Sequence, residues 1–516
     1  MLLSRRSDAF VVAVIQINFK SPSLGSAVGA SLALLVFSSG LFSQTSEHAD
    51  LVVTNAKVRT MTSKISVAEA FAVSGNRITA VGSNASIRKL VGPSTHVIDA
   101  RGRLVLPGFN DSHVHFMAIG NMFSSINLRT ASRSQITDEI ARYAQFLPKR
   151  RWILGGHFLH DVVPDRSAID AATIDNPVFL YSSDATVAFA NSAAFRLAGL
   201  RSDSPDVDRS SSGIPTGMIR GTALMKIRNL VPRNHISDWK LIAETAANYA
   251  ASLGVTSVQD MHSDDRRSVY RELQQHGKLK TRVYDCLALR DAEKLKSSRL
   301  PNGRDDMVTD GCLKGFSDGD EESPAALLRD VVSADKSGFQ IAVHAIGDSA
   351  NRIVLDVFRQ ALSSNGRRDR RFRVEHAHNA AEADVRRFKD LEIIASMQPF
   401  LFEGGNGSRY GSLLGQGSRV AFGSDASMVD MNPLLGIHAA VNAGSEAISV
   451  YEAIRAYTIG SAYAEFRERQ KGTIEPGKLA DFVILSDDIF NVDRLKIRDA
   501  KVTLTAVNGQ IVFQSN

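Results

Sequence analysis

Eight short apolar segments recur through the middle of the chain, each followed by a stretch of helical periodicity, and no other feature restricts the fold as much. The strand candidates are 104–115, 255–261, 282–289, 312–317, 340–345, 372–376, 393–398 and 420–425. Between them run amphipathic patterns such as DWKLIAETAANYAASLG, ANRIVLDVFRQAL and EADVRRFKDL. Strands that are apolar throughout need cover on both faces, and helices alternating with them supply it in a parallel sheet. Eight such units predict an α/β fold, a closed (β/α)8 TIM-like barrel. One interval breaks the rhythm. About a hundred residues separate the first strand from GVTSVQD, far more than a βα unit needs. That interval holds strands of its own, RWILGG and NPVFLYS, so an inserted subdomain is predicted at about 130–232, over the barrel mouth.

Both flanks are β-rich. ADLVVTNAKVRTM, AFAVSGNRITAVG and THVIDARGRLVLPG read as short strands with Gly and Asn turns. KLADFVILS and VTLTAVNGQIVF answer them at the far end, the latter a hairpin turning at Asn508-Gly509. Residues 47–106 and 470–516 are therefore expected to form one small composite β-sandwich domain built from both chain ends, beside a barrel over 107–469. Residues 1–46 have the pattern of an export segment. Arg5, Arg6 and Lys20 precede the apolar run Ser26–Phe42, and a polar stretch follows. The run is shorter than the roughly 20 residues a membrane-spanning helix needs. The expectation is a signal peptide and a periplasmic or extracellular protein, against an uncleaved tail or misplaced start and a cytoplasmic one.

A chain of 516 residues with 44% hydrophobic and 22% charged residues has the composition of a globular protein. The net charge of +6 is spread widely, and only RRDRR at 367–371 is dense. No basic stripe interleaved with aromatics is present, so nucleic acid is excluded as a partner. The expected partner is a small-molecule substrate, with no stable membrane span after signal removal; a homodimer is compatible with the chain. Cys286 and Cys312 are too few for a disulfide framework or a cysteine zinc site. They are read as small buried residues, or as a single bridge between neighbouring strands in an oxidising compartment.

The ends of the strands carry the chemistry. LVLPGFNDSHVHF is apolar until Asp111, His113 and His115. His113 and His115 are two apart and share one face of a strand, inward at the mouth. Such a pair alone reads equally well as hydrogen-bonded core histidines. FQIAVHAIGD brings His344, FRVEHAH brings His376, RVAFGSDAS brings Asp425 and GCLKGFSDG brings Lys314, each after a run of apolar positions. Every buried polar group costs several kcal/mol unless satisfied, so six at equivalent places point to a shared metal.

The motifs PGFNDSHVHF, GVTSVQDM, LKGFSDG, AVHAIGDSAN, RVEHAH, FGSDAS, YTIGSAYAEF and KGTIEPGKLADFVIL resemble the amidohydrolase superfamily. Within it they resemble amidohydrolase family 3, the YtcJ-like metal-dependent hydrolases, from about Ala49 to the C-terminus. The resemblance implies a divalent metal cofactor, Zn²⁺ by default, as one ion or two. It assigns His113, His115 and Asp425 to one metal, His344 and His376 to a second, and Lys314 as an N6-carboxylated bridge. A buried neutral lysine can take up carbon dioxide and become anionic; the alternative is a plain lysine paired with Asp318 and a single metal. The implied activity is hydrolysis of a carbon–nitrogen bond other than a peptide bond, in an amide or cyclic amide, by metal-activated hydroxide. Asp425 is expected as general base and then acid, with His376 or a metal steadying the oxyanion. Lactone or ester hydrolysis at the same site, and a catalytically silent binding protein on the same fold, are the competing readings.

Departures from the family pattern fall around the substrate space. Thr186 stands where a histidine is usual in DATVAFAN, between Asp184 and Asn191, and Gly221 replaces the glutamate usual after PTGMIR. Asp184, Thr186, Asn191 and His262 are the candidate substrate-binding residues. His157, His160, His378 and His438 are read as structural, and Arg373 and Glu375 as packing groups or supports behind the ligands.

Overall fold

The computed structural model describes residues 48–515 apart from 63–66, 123–125, 129–130, 160–161, 163, 183–185, 202, 232–238, 263–265, 296–306, 318–322, 405–406 and 427. The expected export segment, Asp184, His160 and Asp318 lie outside the described residues.

Eight parallel strands make the central sheet: β1 (Phe109–Val114), β2 (Val255–Met261), β3 (Arg282–Ala288), β4 (Val308–Phe316), β5 (Ile341–Ile346), β6 (Arg373–His378), β7 (Ile394–Met397) and β8 (Arg419–Phe422). Each pairs with the next in chain order, and helices cover the outside, as in a TIM-like (β/α)8 barrel. The helix Pro324–Lys336 shows how such a unit is punctuated. Ser323 Oγ accepts from the Ala326 N–H, and Pro324 supplies a first residue with no amide to satisfy.

Between β8 and β1 the barrel closes through the turn after β8 rather than a strand ladder. The Asp425 N–H donates to the His113 carbonyl and the His115 N–H to that of Ala426, both at 2.7 Å. Ser424 adds its N–H (3.1 Å) and hydroxyl (2.5 Å) to the buried Asp111 carboxylate. A Cβ at Gly423 would lie 2.6 Å from the His113 nitrogen, so only glycine permits this approach.

The predicted first strand, 104–115, is two strands. Leu104–Pro107 belongs to a second sheet and β1 begins at Phe109. The break falls at Pro107-Gly108, where a Cβ on Gly108 would collide with the Thr256 side chain. Leu104–Pro107 pairs with Phe482–Leu485 and Lys57–Arg59, in a six-stranded sheet that also takes Val502–Val507 and Gln510–Gln514. A four-stranded sheet (Leu51–Thr54, Ala70–Ser74, Arg77–Gly82, His96–Asp99) shares its core, with Phe71 edge-on to Phe482 at 5.0 Å. The Asp481 carboxylate binds Arg282 at the foot of β3 through two bonds of 2.6 and 3.0 Å.

Within 126–219 runs a separate six-stranded sheet, packed on a cluster of Trp152, Phe179, Phe195, Ile219 and Ile227. Cys286 on β3 and Cys312 on β4 form a disulfide between neighbouring strands, and neither is free. No helix among the described residues is long and apolar enough to cross a membrane.

Arg282 and Asp481 are 5% and 3% exposed, so removing one partner strands a buried charge. Asp481→Ala is expected to destabilise the fold by about 3–5 kcal/mol in urea denaturation.

Candidate metal centre

The inward positions at the C-terminal ends of the strands converge. His113 lies on β1 with His115 just beyond it, Lys314 on β4, His344 on β5, His376 on β6, and Asp425 three residues past β8. Asp425 Oδ1 is 3.3 Å from His115 Nε2 and 3.6 Å from His113 Nε2. One donor atom each from His113, His376 and Asp425 falls within 4.8 Å of the other two. The His344 and His376 rings are 4.4 Å apart, and those of His113 and His376 5.0 Å. Lys314 is buried, and its charge reaches both His113 and His376.

Two of these residues hold unusual backbone. His376 (φ 69°) and Asp425 (φ 58°) sit in the left-handed region, costly without glycine and common where a site fixes geometry. At His376 the reason is visible. Glu375 and His376 are consecutive, so strand alternation would send them to opposite faces. Positive φ at His376 and Ala377, with a register shift against β5, brings both to His113.

Hydrogen bonds behind the ligands set their tautomers. His113 Nδ1 lies 2.5 Å from Glu375 Oε2, and His376 Nδ1 is 2.7 Å from Gln398 Oε1. Both partners are acceptors, so each Nδ1 carries the proton and each Nε2 offers a lone pair. Burial, then the Lys314 charge, lowers the His113 pKa to about 4, against the pull of Glu375. Burial, His113 and Lys314 hold His376 well below its ordinary value. Neutral imidazoles with converging lone pairs, beside a carboxylate, are a donor set that fits a divalent cation. With its Nδ1 proton engaged by Gln398, His376 turns Nε2 toward the cluster.

Arg373 anchors the arrangement from below. It is fully buried and donates through Nε to Glu375 Oε1 (2.7 Å) and through Nη2 to Glu375 Oε2 (3.1 Å), the Ser112 carbonyl (2.6 Å) and Ser396 (3.1 Å); Nη1 bonds Gln259. Asp111 is not aimed at the cluster. Burial pushes its carboxyl up to about 7, against the Ser424 and His113 donors it holds at the barrel seam.

The expected substrate residues divide. Asn191 is fully buried and faces no open space. Its oxygen accepts from the Val178 and Ala194 N–H groups, and its amide donates to Thr173 Oγ1 and the Asn176 carbonyl. All its bonding capacity is used inside the insertion. His262 lies against Asp285 Oδ1 (2.6 Å) and Asp260 Oδ2 (3.4 Å). Asp260 in turn accepts from the Phe116 N–H (2.8 Å) and the Tyr270 hydroxyl (2.5 Å). Thr186 is exposed. His438 lies 3.1 Å from Glu403, and His378 stacks on Phe402. Gln398, Phe402 and the grouping of Asp260 and Asp285 with His262, itself a candidate, were not singled out from sequence. The last consists of polar residues on the outward face of β2 and β3, which no pattern distinguishes from solvent-facing ones.

An amidohydrolase-family model matches residues 96–513. The chain belongs to the amidohydrolase family. It is a hydrolase that binds a divalent metal, and its substrate is a small molecule. It is 32% identical to Protein LONG AFTER FAR-RED 3 of Arabidopsis thaliana, over 90% of this chain and 92% of that one. With the N-substituted formamide deformylase of Arthrobacter pascens it shares 28% identity over 90% and 98% of the two chains. A metal-dependent hydrolase structure from Pyrococcus horikoshii matches with TM-score 0.61 and 25% identity, over 86% of this chain and 99% of that one.

Two outcomes follow from these buried hydrogen bonds. Glu375→Gln leaves Arg373 without its carboxylate and loosens the His113 ring, so metal affinity should fall about 10–100-fold in chelator competition. Burial opposes charge on His262, yet Asp260 and Asp285 raise its pKa to about 9 against an ordinary 6.5, with Arg266 acting the other way and Tyr270 and Arg267 packed alongside. A raised folded pKa stabilises fully below 6.5, and the gain is lost as pH climbs through about 9. His262→Gln should therefore lower the melting temperature most at pH 6, the gap from wild type shrinking by pH 10.

Proposed function

We propose that this protein hydrolyses a carbon–nitrogen bond other than a peptide bond, in an amide or cyclic amide, with His113, His115, Lys314, His344, His376 and Asp425 as its ligand set. The observation that carries the reading is the pair of locked tautomers: His113 and His376 turn their Nε2 lone pairs to the place where Asp425 brings its carboxylate. The formamide deformylase among the relatives supports a carbon–nitrogen bond as the target.

A divalent cation here, Zn²⁺ on imidazole and carboxylate ligands, supplies Lewis-acid polarisation of the carbonyl and acidifies water. Asp425, at the seam and partly open to solvent, takes the proton of the attacking water and passes it to the leaving nitrogen. Glu375 and Gln398 hold the His113 and His376 rings fixed while the charge at the site changes. Lys314, once deprotonated and N6-carboxylated with loss of a proton, would contribute an anionic carbamate rather than an ammonium that would repel a cation. Export belongs to the same proposal, supported by the leader pattern and by the Cys286–Cys312 disulfide.

Asp425→Asn tests the proton transfer. Turnover of an amide panel should fall about 10²–10⁴-fold, while metal content by elemental analysis stays near wild type. Activity that survives the substitution would exclude this role.

A further inference from the structure

The ligands at the barrel mouth are bracketed by two aromatic rings that the hydrolytic chemistry does not need. Phe316 is two residues beyond Lys314 on β4. Its ring lies 5.6 Å from that of His344, Lys314 Nζ stands 5.1 Å from its centroid, and it is 44% exposed. Phe402, in the turn after β7, meets the His376 ring edge-on at 6.2 Å. It also stacks on His378, at 3.9 Å with planes 9° apart. With His344 and His376 4.4 Å apart, the rings run in sequence Phe316, His344, His376, Phe402.

Scattered apolar residues on a surface need no explanation. Two rings standing at either end of a pair of ligand imidazoles are not scattered. Aromatic faces carry negative potential, so they favour an apolar or aryl group and disfavour a carboxylate laid against them.

We propose that Phe316 and Phe402 form the specificity walls of the site and select an uncharged amide bearing an aryl or bulky alkyl group. This rests on the hydrolase reading above. Acidic substrates such as N-acyl amino acids are disfavoured, since their carboxylate would be desolvated against apolar rings.

The test compares benzamide and acetamide as probes, by calorimetry on the metal-loaded full-length protein, alongside hydrolysis of N-benzyl and N-methyl amides of one acid. Wild type should bind benzamide about tenfold more tightly than acetamide and show a matching preference in kcat/KM. Phe316→Ala, at an exposed ring, and Phe402→Leu, which conserves bulk over His378, should each lose most of that preference while keeping their metal. Equal or immeasurable binding of both probes by wild type overturns the inference, as does a preference unchanged in both variants. If no amide is hydrolysed but benzamide is preferred through these rings, the reaction assignment fails and the walls stand.

Discussion

The site depends on how the barrel closes. β8 and β1 share no ladder. They are held by two backbone bonds from the turn after β8, and by the buried Asp111 carboxylate collecting the Ser424 amide and hydroxyl. The same bonds set His113 and His115, from the first strand, against Asp425, from the segment after the last. A seam made by a ladder alone would fix strand spacing and leave that turn to find its own position. Here the group that closes the wall also delivers the carboxylate. Left-handed backbone at Asp425 is sustained because its N–H is already committed to His113.

Below the mouth the barrel interior is unusually polar. Arg373 and Glu375 are fully buried and saturate one another, and their remaining bonds go to Ser112, Ser396, Gln259 and His113. Nearer the foot, Lys471 pairs with Glu465 at 2.7 Å and bonds Ser257, while Asn110 donates to the same glutamate. Buried charges gain little stability over an apolar packing and fix geometry where each has its partners. Behind a metal centre, fixed geometry is what such a column contributes.

Much of this was legible in the sequence for one reason: period-two alternation and metal chemistry select the same positions. An apolar run that ends in His or Asp marks a strand and its ligand together, as at His344, and those residues do converge. What could not be read involves backbone departures from that period. The kink at Gly108 divides one apolar run between two sheets, and positive φ at His376 puts two consecutive residues on one face. The bonds of Asn191 inside the insertion could not be read either, because they go to groups scattered over several turns, which a local motif does not reveal. Phe316 stands inside LKGFSDG and Phe402 in a turn, and only the rings they touch set them apart from other aromatics.

The mixed sheet built from both chain ends has a bearing on assembly. Leu104–Pro107, which leads directly into β1, is flanked by Lys57–Arg59 on one side and by Phe482–Leu485 on the other. During synthesis that second edge stays open until nearly the whole polypeptide has emerged. Pairings of such long sequence separation form slowly, because loop closure precedes the reward. The nascent molecule therefore carries an unpaired β edge at the base of its catalytic barrel through most of translation. Docking of Phe482–Leu485 is the event that caps it, on the side of the barrel away from the chemistry.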